Sequence, residues 1–566
     1  MTVTLHRHDV RPVRVVSARG IEHPEALLTG EPVATGDGEA ELVVDFGRET
    51  VGGVRVRGDA EGKATLTCFY GEDLVEAMRE EEFNSPWYSL PRDEIAVAPG
   101  AFSVTTPGRR AFRYVRMRIG GRVTLDSLDA WFEHYPVELR GRFACADDVL
   151  NDAWTLAEHT TRCCMQQYYE DGVKRDGLLW IGDYRLAYLY NAYLYGDTAL
   201  AAESLRLIAA TQTDDGRLLA TALAAGTHQH PDNIPYMAIH GPFLNQWSLV
   251  NYTADFVASL EEYWLHSGDD ALPRALWPQA MRAIDYLRGV DWDGPLKVVT
   301  ELGPEGRWHR SPAAVAMHLL WTMHKAAALA GHLGDDATAD ACRGYLAEGL
   351  PRFRERYAAG ACIEDAPSGD QPNLAIHATA QAVLASLAVD DDEARAWLAA
   401  ADASDAIRPR IGFAIYYWLL ALLEAGLTGR ALAEMRTYYG LMLRNGATTC
   451  WEAVDPSLDD IDRSQPYAMS HCHAWTAAPA HLLGAYILGV RPAAPGFAAV
   501  TLRPHPGDLA WAEGTVPTPY GSIDVRWDRA ADGALTGRVV LPDGVWGRFA
   551  GPSGKVRELT PGENRL

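Results

Sequence analysis

With 566 residues, the chain is long enough for several domains, or for one large domain with smaller attachments, and it can bury a sizeable core. Its 51 Lys+Arg against 75 Asp+Glu give a formal charge of −24, which argues against a nucleic-acid backbone or an anionic membrane as partner and leaves a neutral ligand unopposed. The eight cysteines are scattered, and neither Cys163-Cys164 nor Cys472 falls in a zinc-type spacing, so they read as reduced core residues, with no metal site and no cofactor expected.

The opening MTVTLHRHDVRPVRVVSARG lacks the apolar run of a signal peptide, and no later stretch offers about 18 uninterrupted apolar residues, so a cytoplasmic protein is expected. From Arg14 to Glu138 short β-type runs alternate with turn signals: ELVVDFG, GGVRVRGD, KATLTCFYGE, FSVTTPG, FRYVRMRIGG. Residues 1–138 therefore read as a β-sandwich domain, interrupted by DLVEAMREEEFNSPWYSLPRDE, whose Trp87 and Tyr88 have the reach to touch a neighbouring surface.

After Ala146 the texture changes to long segments with apolar residues at helical spacing, among them DDVLNDAWTLAEHTTRCCMQQYY and LNQWSLVNYTADFVASLEEYWLHSG. Further helices are expected near Ala201–Thr211, Pro278–Arg288, Ala337–Tyr357, His377–Leu387, Phe413–Ala425, Ala431–Leu443 and Ala474–Leu488, about a dozen in all. With no alternating strands to make βαβ units, residues 139–489 read as paired helices in an (α/α)6 toroid, with a plain bundle as the alternative. Short β runs return after Gly489, so residues 490–566 form a small C-terminal β domain, again sandwich-like.

Chemistry concentrates in EDGVKRDGLLWIGDY, where Asp171, Arg175, Asp176, Trp180 and Asp183 share thirteen residues with three glycines. Like charges repel and glycine weakens a helix, so stability alone explains this composition poorly. Gly172 suits a tight turn, and Asp183 is placed to cap the helix that follows. Sugars, however, need this mixture: carboxylates accept hydrogen bonds from vicinal hydroxyls, an aromatic ring covers the C–H face, and a carboxyl protonates a leaving oxygen. A second candidate is NGATTCWEAVDPS, where Glu452 follows Trp451 in a loop between two expected helices. A third is YAMSHCHAW, where His471 and His473 open an apolar helix and either can be a hydrogen-bonded core residue.

At these residues the sequence resembles the bacterial α-L-rhamnosidases of glycoside hydrolase family 78. Asp171, Arg175, Asp176, Trp180, Gly182 and Asp183 match the spacing of that family's first signature; Thr448, Thr449, Trp451 and Glu452 match the second. Ser470, Cys472, His473 and Trp475 fit the start of a third, which runs through LGVRPAAPGF to TPYGSIDVRW, and YGEDL and FRYVRM look like the family's β domain. The resemblance implies an inverting hydrolase on an (α/α)6 domain, with Asp176 as general acid and Glu452 as general base. It implies that Asp171, Asp183 and His473 bind sugar hydroxyls, that Trp180 and Trp451 line the pocket, with Trp247 as a further candidate, and that Arg175 belongs to the same substrate-binding set. Two departures stand out: the commoner acid is Glu rather than Asp176, and a long, often basic side chain is usual where Gly177 stands. The expected partner is a small glycoside or oligosaccharide, and a homo-oligomer stays open. Rival readings are a rhamnosyl-uronate lyase and a sugar-binding protein without turnover; retention of both Asp176 and Glu452 speaks against the second.

Overall fold

The structure, a computed structural model, describes residues 3–80, 91–222, 248–292, 300–302, 308–358, 360–363, 372–458, 469–551, 554 and 556–566. Trp247, Trp87 and Tyr88 lie outside the described residues. The N-terminal domain is one nine-stranded antiparallel sheet organised by a 22-residue strand, Glu39–Ala60. Its first half pairs with Arg110–Gly120 and its second with Val123–His134, the register breaking between Asp45 and Thr50, where Gly47 takes φ +85°. Left-handed backbone at that break suits glycine, which carries no Cβ to clash. Residues of both halves, including Leu42, Val44, Val54 and Val56, feed a single core with Met117 and Leu125.

Twelve helices of the central region have described ranges: α1 Asp148–Cys164, α2 Ile181–Leu194, α3 Ala199–Ala209, α4 Val250–Ser267, α5 Ala271–Arg288, α6 Pro312–Leu333, α7 Asp336–Tyr357, α8 Ala375–Leu384, α9 Asp391–Asp402, α10 Gly412–Glu424, α11 Thr428–Arg444 and α12 Ala478–Leu482. Even-numbered helices pack in sequence, α2 on α4, α4 on α6, α6 on α8, α8 on α10, α10 on α12, and α12 back on α2. Each odd-numbered helix packs outside one or two of them. Sequence dictates this division. In α2 every residue is buried and in α10 nearly every one, whereas α5, α7 and α9 bury a single face, and a helix apolar all round has to lie inside. Among the described residues no helix is long and apolar enough to cross a membrane.

Several boundaries differ from the sequence reading for local reasons. Pro278, expected near a helix start, sits inside α5. Helix α9 escapes the apolar pattern because it is alanine-rich and acidic, and it is started instead by Asp390, whose side chain accepts from Glu393 N at 2.9 Å. The segment expected as one helix after Ala474 is a 3₁₀ turn at Ala474–Thr476, then α12, then a π-turn at Leu483–Ile487. Asp183 does not cap α2: Trp180 takes the cap position, and Asp183 lies in the first helical turn.

The C-terminal domain pairs a five-stranded sheet with a four-stranded one. The edge strand of the first sheet, Arg142–Cys145, comes from before α1 and pairs with Trp511–Thr518, so the chain visits this domain before entering the helices. The helical region and the C-terminal domain share one continuous apolar core.

Candidate active site

The loop between α1 and α2 is closed by its own hydrogen bonds. Asp171 N donates to Leu178 O at 3.0 Å, Leu178 N donates back to Asp171 Oδ1 at 2.9 Å, and Gly177 N reaches Gly172 O at 3.2 Å. At the tip, Asp176 and Gly177 are both left-handed, with φ of +52° and +60°. Glycine adopts this freely, and Asp is among the few other residues that visit it. The backbone thus accounts for both departures noted in the sequence, a short carboxylate at 176 and glycine at 177. The other glycines answer to close approach: a Cβ on Gly172 would lie 2.9 Å from His473 Cδ2, and one on Gly182 would lie 2.5 Å from Tyr252 Cε1.

The turn sends neighbouring cations in opposite directions. Arg175 Nη2 donates to Glu452 Oε1 at 2.5 Å, and its Nε lies 3.7 Å from Asp176 Oδ1. One guanidinium therefore spans two carboxylates that stand 276 positions apart in the chain. Both are buried. Glu452 Oε2 accepts from Ser470 N at 2.8 Å, Glu452 N donates to Ser470 O at 2.9 Å, and Trp475 Nε1 donates to Glu452 O at 2.9 Å. Its carboxylate is consequently held at both oxygens, and its backbone is held at N and O.

Lys174 turns the other way, into the N-terminal domain, where Nζ lies 2.8 Å from Glu72 Oε2 and 3.3 Å from Glu76 Oε1. All three groups are fully buried. The two carboxylates keep Lys174 charged by raising its pKa, while burial pushes Glu72 up to about 7 and raises Glu76. One ammonium does not balance two carboxylates, so both glutamates hold their protons to higher pH than free carboxyls do. Glu72 also accepts from His471 N at 2.6 Å and Ser470 Oγ at 3.1 Å. Since Ser470 N holds Glu452, a residue of the β domain supports the Glu452 carboxylate through one intermediate.

Behind the Arg175 bridge, His473 lies between two aspartates: Nε2 is 3.7 Å from Asp171 Oδ2, and Nδ1 is 3.8 Å from Asp183 Oδ1. Burial and the Arg175 charge push His473 well down, so it is neutral. Burial, then the neighbouring carboxylates Asp176 and Asp183, push Asp171 well up; burial is also the main cause for Asp183, with Glu452 and Asp176 adding to it. Among the described residues, Asp183 Oδ1 and His473 Nδ1 have no hydrogen-bond partner although both are buried. Groups left so typically cost about 1–3 kcal/mol each in a folded protein. Trp180 stands edge-on to Tyr252, with centroids 6.2 Å apart, and Trp451 stacks on His471 at 4.6 Å.

The structure thus brings Asp171, Arg175, Asp176, Asp183, Glu452 and His473 together, with Trp180 and Trp451 beside them. Sequence reasoning placed Ser470 in a signature without giving it a role, and it missed Glu72, Lys174 and Tyr252; the last donates to Asp183 Oδ2 at 3.3 Å from the start of α4. It also missed a narrow cavity of about 30 Å³ at the ends of α4, α6, α8 and α10, lined by Asn251, His318, His377, Gln381, Phe413 and Tyr417. A cleft of about 730 Å³ lies on the N-terminal domain around Arg55, Trp131 and Glu133. It does not contain the converging carboxylates, and convergence of polar groups identifies a site better than volume.

Comparison with known proteins follows this geometry. A family model described as the bacterial alpha-L-rhamnosidase 6 hairpin glycosidase domain matches residues 138–487, and one for the bacterial alpha-L-rhamnosidase C-terminal domain matches 489–564. An alpha-L-rhamnosidase of Alteromonas sp. (strain LOR) is 35% identical over 114 residues, which cover 20% of this chain and 12% of that protein. The crystal structure of a GH78 rhamnosidase of Bacillus sp. GL1 superposes with a TM-score of 0.77 at 27% identity, covering 94% of this chain and 56% of that one. A rhamnosidase from Klebsiella oxytoca with rhamnose bound gives 0.73 at 22% identity, covering 85% of this chain and 96% of that one, a likeness of fold. The chain thus spans little more than half of the Bacillus protein and matches a small part of the Alteromonas one.

Proposed function

The chain belongs to the bacterial α-L-rhamnosidases of glycoside hydrolase family 78, and from that premise we propose that it hydrolyses terminal α-L-rhamnose from small glycosides with inversion at the anomeric carbon. We read its three parts as residues 1–138, 139–489 and 490–566, with the middle one an (α/α)6 toroid, a reading supported by the sequential packing of α2, α4, α6, α8, α10 and α12. The observation that carries the reaction is the Arg175 bridge, which brings Asp176 and Glu452 to one place from separate loops. With one guanidinium touching both, the two carboxylates are placed to act on a single sugar, as acid–base hydrolysis needs.

Asp176, at the strained tip of its turn, protonates the glycosidic oxygen as the bond breaks. Glu452, oriented by Arg175 and by Ser470 N, takes a proton from the water that attacks the opposite face of the ring. Asp171, Asp183 and neutral His473 receive sugar hydroxyls, and the underused atoms Asp183 Oδ1 and His473 Nδ1 gain in that complex the hydrogen bonds they lack. Trp180 and Trp451 cover apolar faces of the ligand.

The test is nitrophenolate release from p-nitrophenyl α-L-rhamnopyranoside by the parent chain, Asp176→Asn and Glu452→Gln. Release by the parent with losses on the order of 10²–10⁴-fold in each variant is expected. Parent-like rates in either variant would remove that residue from its role, and an ultraviolet-absorbing product from a rhamnosyl-uronate in place of nitrophenolate would favour elimination.

A further inference from the structure

Three histidines lie apart from the carboxylate site. His6 and His134 are direct partners in the antiparallel pairing of His6–Val10 with Val123–His134, and His8 stands two residues along the same strand. The two-residue period of a strand puts all three on one face of the sheet. Their ring nitrogens lie within 4.8 Å of one another, with centroids 5.2 Å apart for His6 and His134, 5.6 Å for His6 and His8, and 6.0 Å for His8 and His134.

His134 is buried, and its Nδ1 is 2.6 Å from the Tyr135 carbonyl oxygen. That contact makes Nδ1 the protonated nitrogen and leaves the lone pair on Nε2. A backbone carbonyl held by the far ring nitrogen is the support that metal-bound imidazoles commonly have.

We propose that His6, His8 and His134 form a binding site for a divalent transition-metal ion of the zinc class, held by three imidazoles with a fourth position open. An all-imidazole set suits Zn²⁺, Ni²⁺ or Cu²⁺ and disfavours Ca²⁺ and Mg²⁺, which take oxygen ligands. Zinc–nitrogen bonds of about 2.0–2.1 Å in a tetrahedron need nitrogens roughly 3.4 Å apart, so the rings close by somewhat over 1 Å. His6 and His8 are exposed and can supply that movement by rotating, while His134 stays fixed. His8 also borders the 730 Å³ cleft, which gives the ion and a fourth ligand a path from solvent. The metal pins the first strand to the sheet. Just upstream, Val3 exchanges hydrogen bonds with the Gln167 side chain at 3.1 and 2.7 Å, and Gln167 leads into the loop that carries Asp171 and Asp176.

The test is titration of the full, tag-free chain, stripped with a chelator, with ZnCl₂ by calorimetry, alongside thermal unfolding with and without the ion. One zinc per chain with Kd at or below about 1 μM is expected, together with a zinc-dependent rise in Tm. Replacing both exposed ligands (His6→Gln with His8→Gln) should weaken binding about 100-fold or more and abolish the rise, with rhamnoside hydrolysis by the metal-free chain unchanged. His134→Gln, where it folds, should do the same to zinc binding. No zinc binding below about 100 μM in the parent, or equal binding by the double variant, would overturn the proposal.

Discussion

Two buried acidic clusters lie on either side of one turn, and they are built on opposite principles. At the domain junction Glu72 and Glu76 enclose Lys174, and Glu72 in addition receives His471 N and Ser470 Oγ. At the carboxylate site Asp171 and Asp183 flank a neutral histidine at 3.7 and 3.8 Å, with buried polar atoms left over. The first cluster has a cation and a full set of donors, as a group does when it positions others. The second lacks both, as a group does when its donors arrive with a ligand. Adjacent residues, Lys174 and Arg175, mark the divide.

The comparison breaks most visibly if its cation is removed. Lys174→Met leaves two carboxylates buried without compensation, a change that typically costs about 3–5 kcal/mol. Thermal unfolding should show a large fall in Tm, and an unchanged Tm would mean that the junction does not depend on the pair. Next in size is Glu72→Gln, which keeps the side chain's shape but replaces one acceptor with a donor facing His471 N or Ser470 Oγ. Because Glu72 acts on Glu452 only through Ser470, kcat should fall on the order of 10-fold with KM near the parent value. A rise in KM alone would place Glu72 in binding instead.

The smallest effect sharpens the contrast. The folded state raises the pKa values of Asp171 and Asp183, so the protonated form is the one that folding favours. The stability each contributes is therefore complete below the ordinary carboxyl pKa and declines as pH rises towards the folded value, and Glu72, raised to about 7, adds a decline between about 4.5 and 7. Asp183→Asn should raise stability at neutral pH by on the order of 1 kcal/mol, flatten part of that decline, and raise KM sharply. A destabilised variant would show that Asp183 is held for structure.

How much of this the sequence shows depends on how local each feature is. The turn from Asp171 to Asp183 is contiguous, so its residues, its glycines and its aromatic ring stand together on the page. The helical period separates the middle region from the β runs because α1, α4 and α6 are long. Glu72 and Ser470 meet across 398 positions and Tyr252 reaches Asp183 across 69, pairings that no local pattern records. The same holds for His6 and His134, joined only by strand register. The strand Arg142–Cys145 was hidden because it leaves one domain to complete another's sheet. The left-handed pair at Asp176 and Gly177 shows the reverse relation: an odd choice in the sequence that the backbone explains.

The central claim is that Asp176 and Glu452 work as an acid and a base on opposite faces of the sugar. It is tested most directly by following hydrolysis of p-nitrophenyl α-L-rhamnopyranoside by proton NMR and identifying the anomer released before mutarotation. The account predicts β-L-rhamnose as the first product. Release of the α anomer would mean that a carboxylate attacks the sugar itself, and would contradict the assignment of Glu452 as the base that activates water.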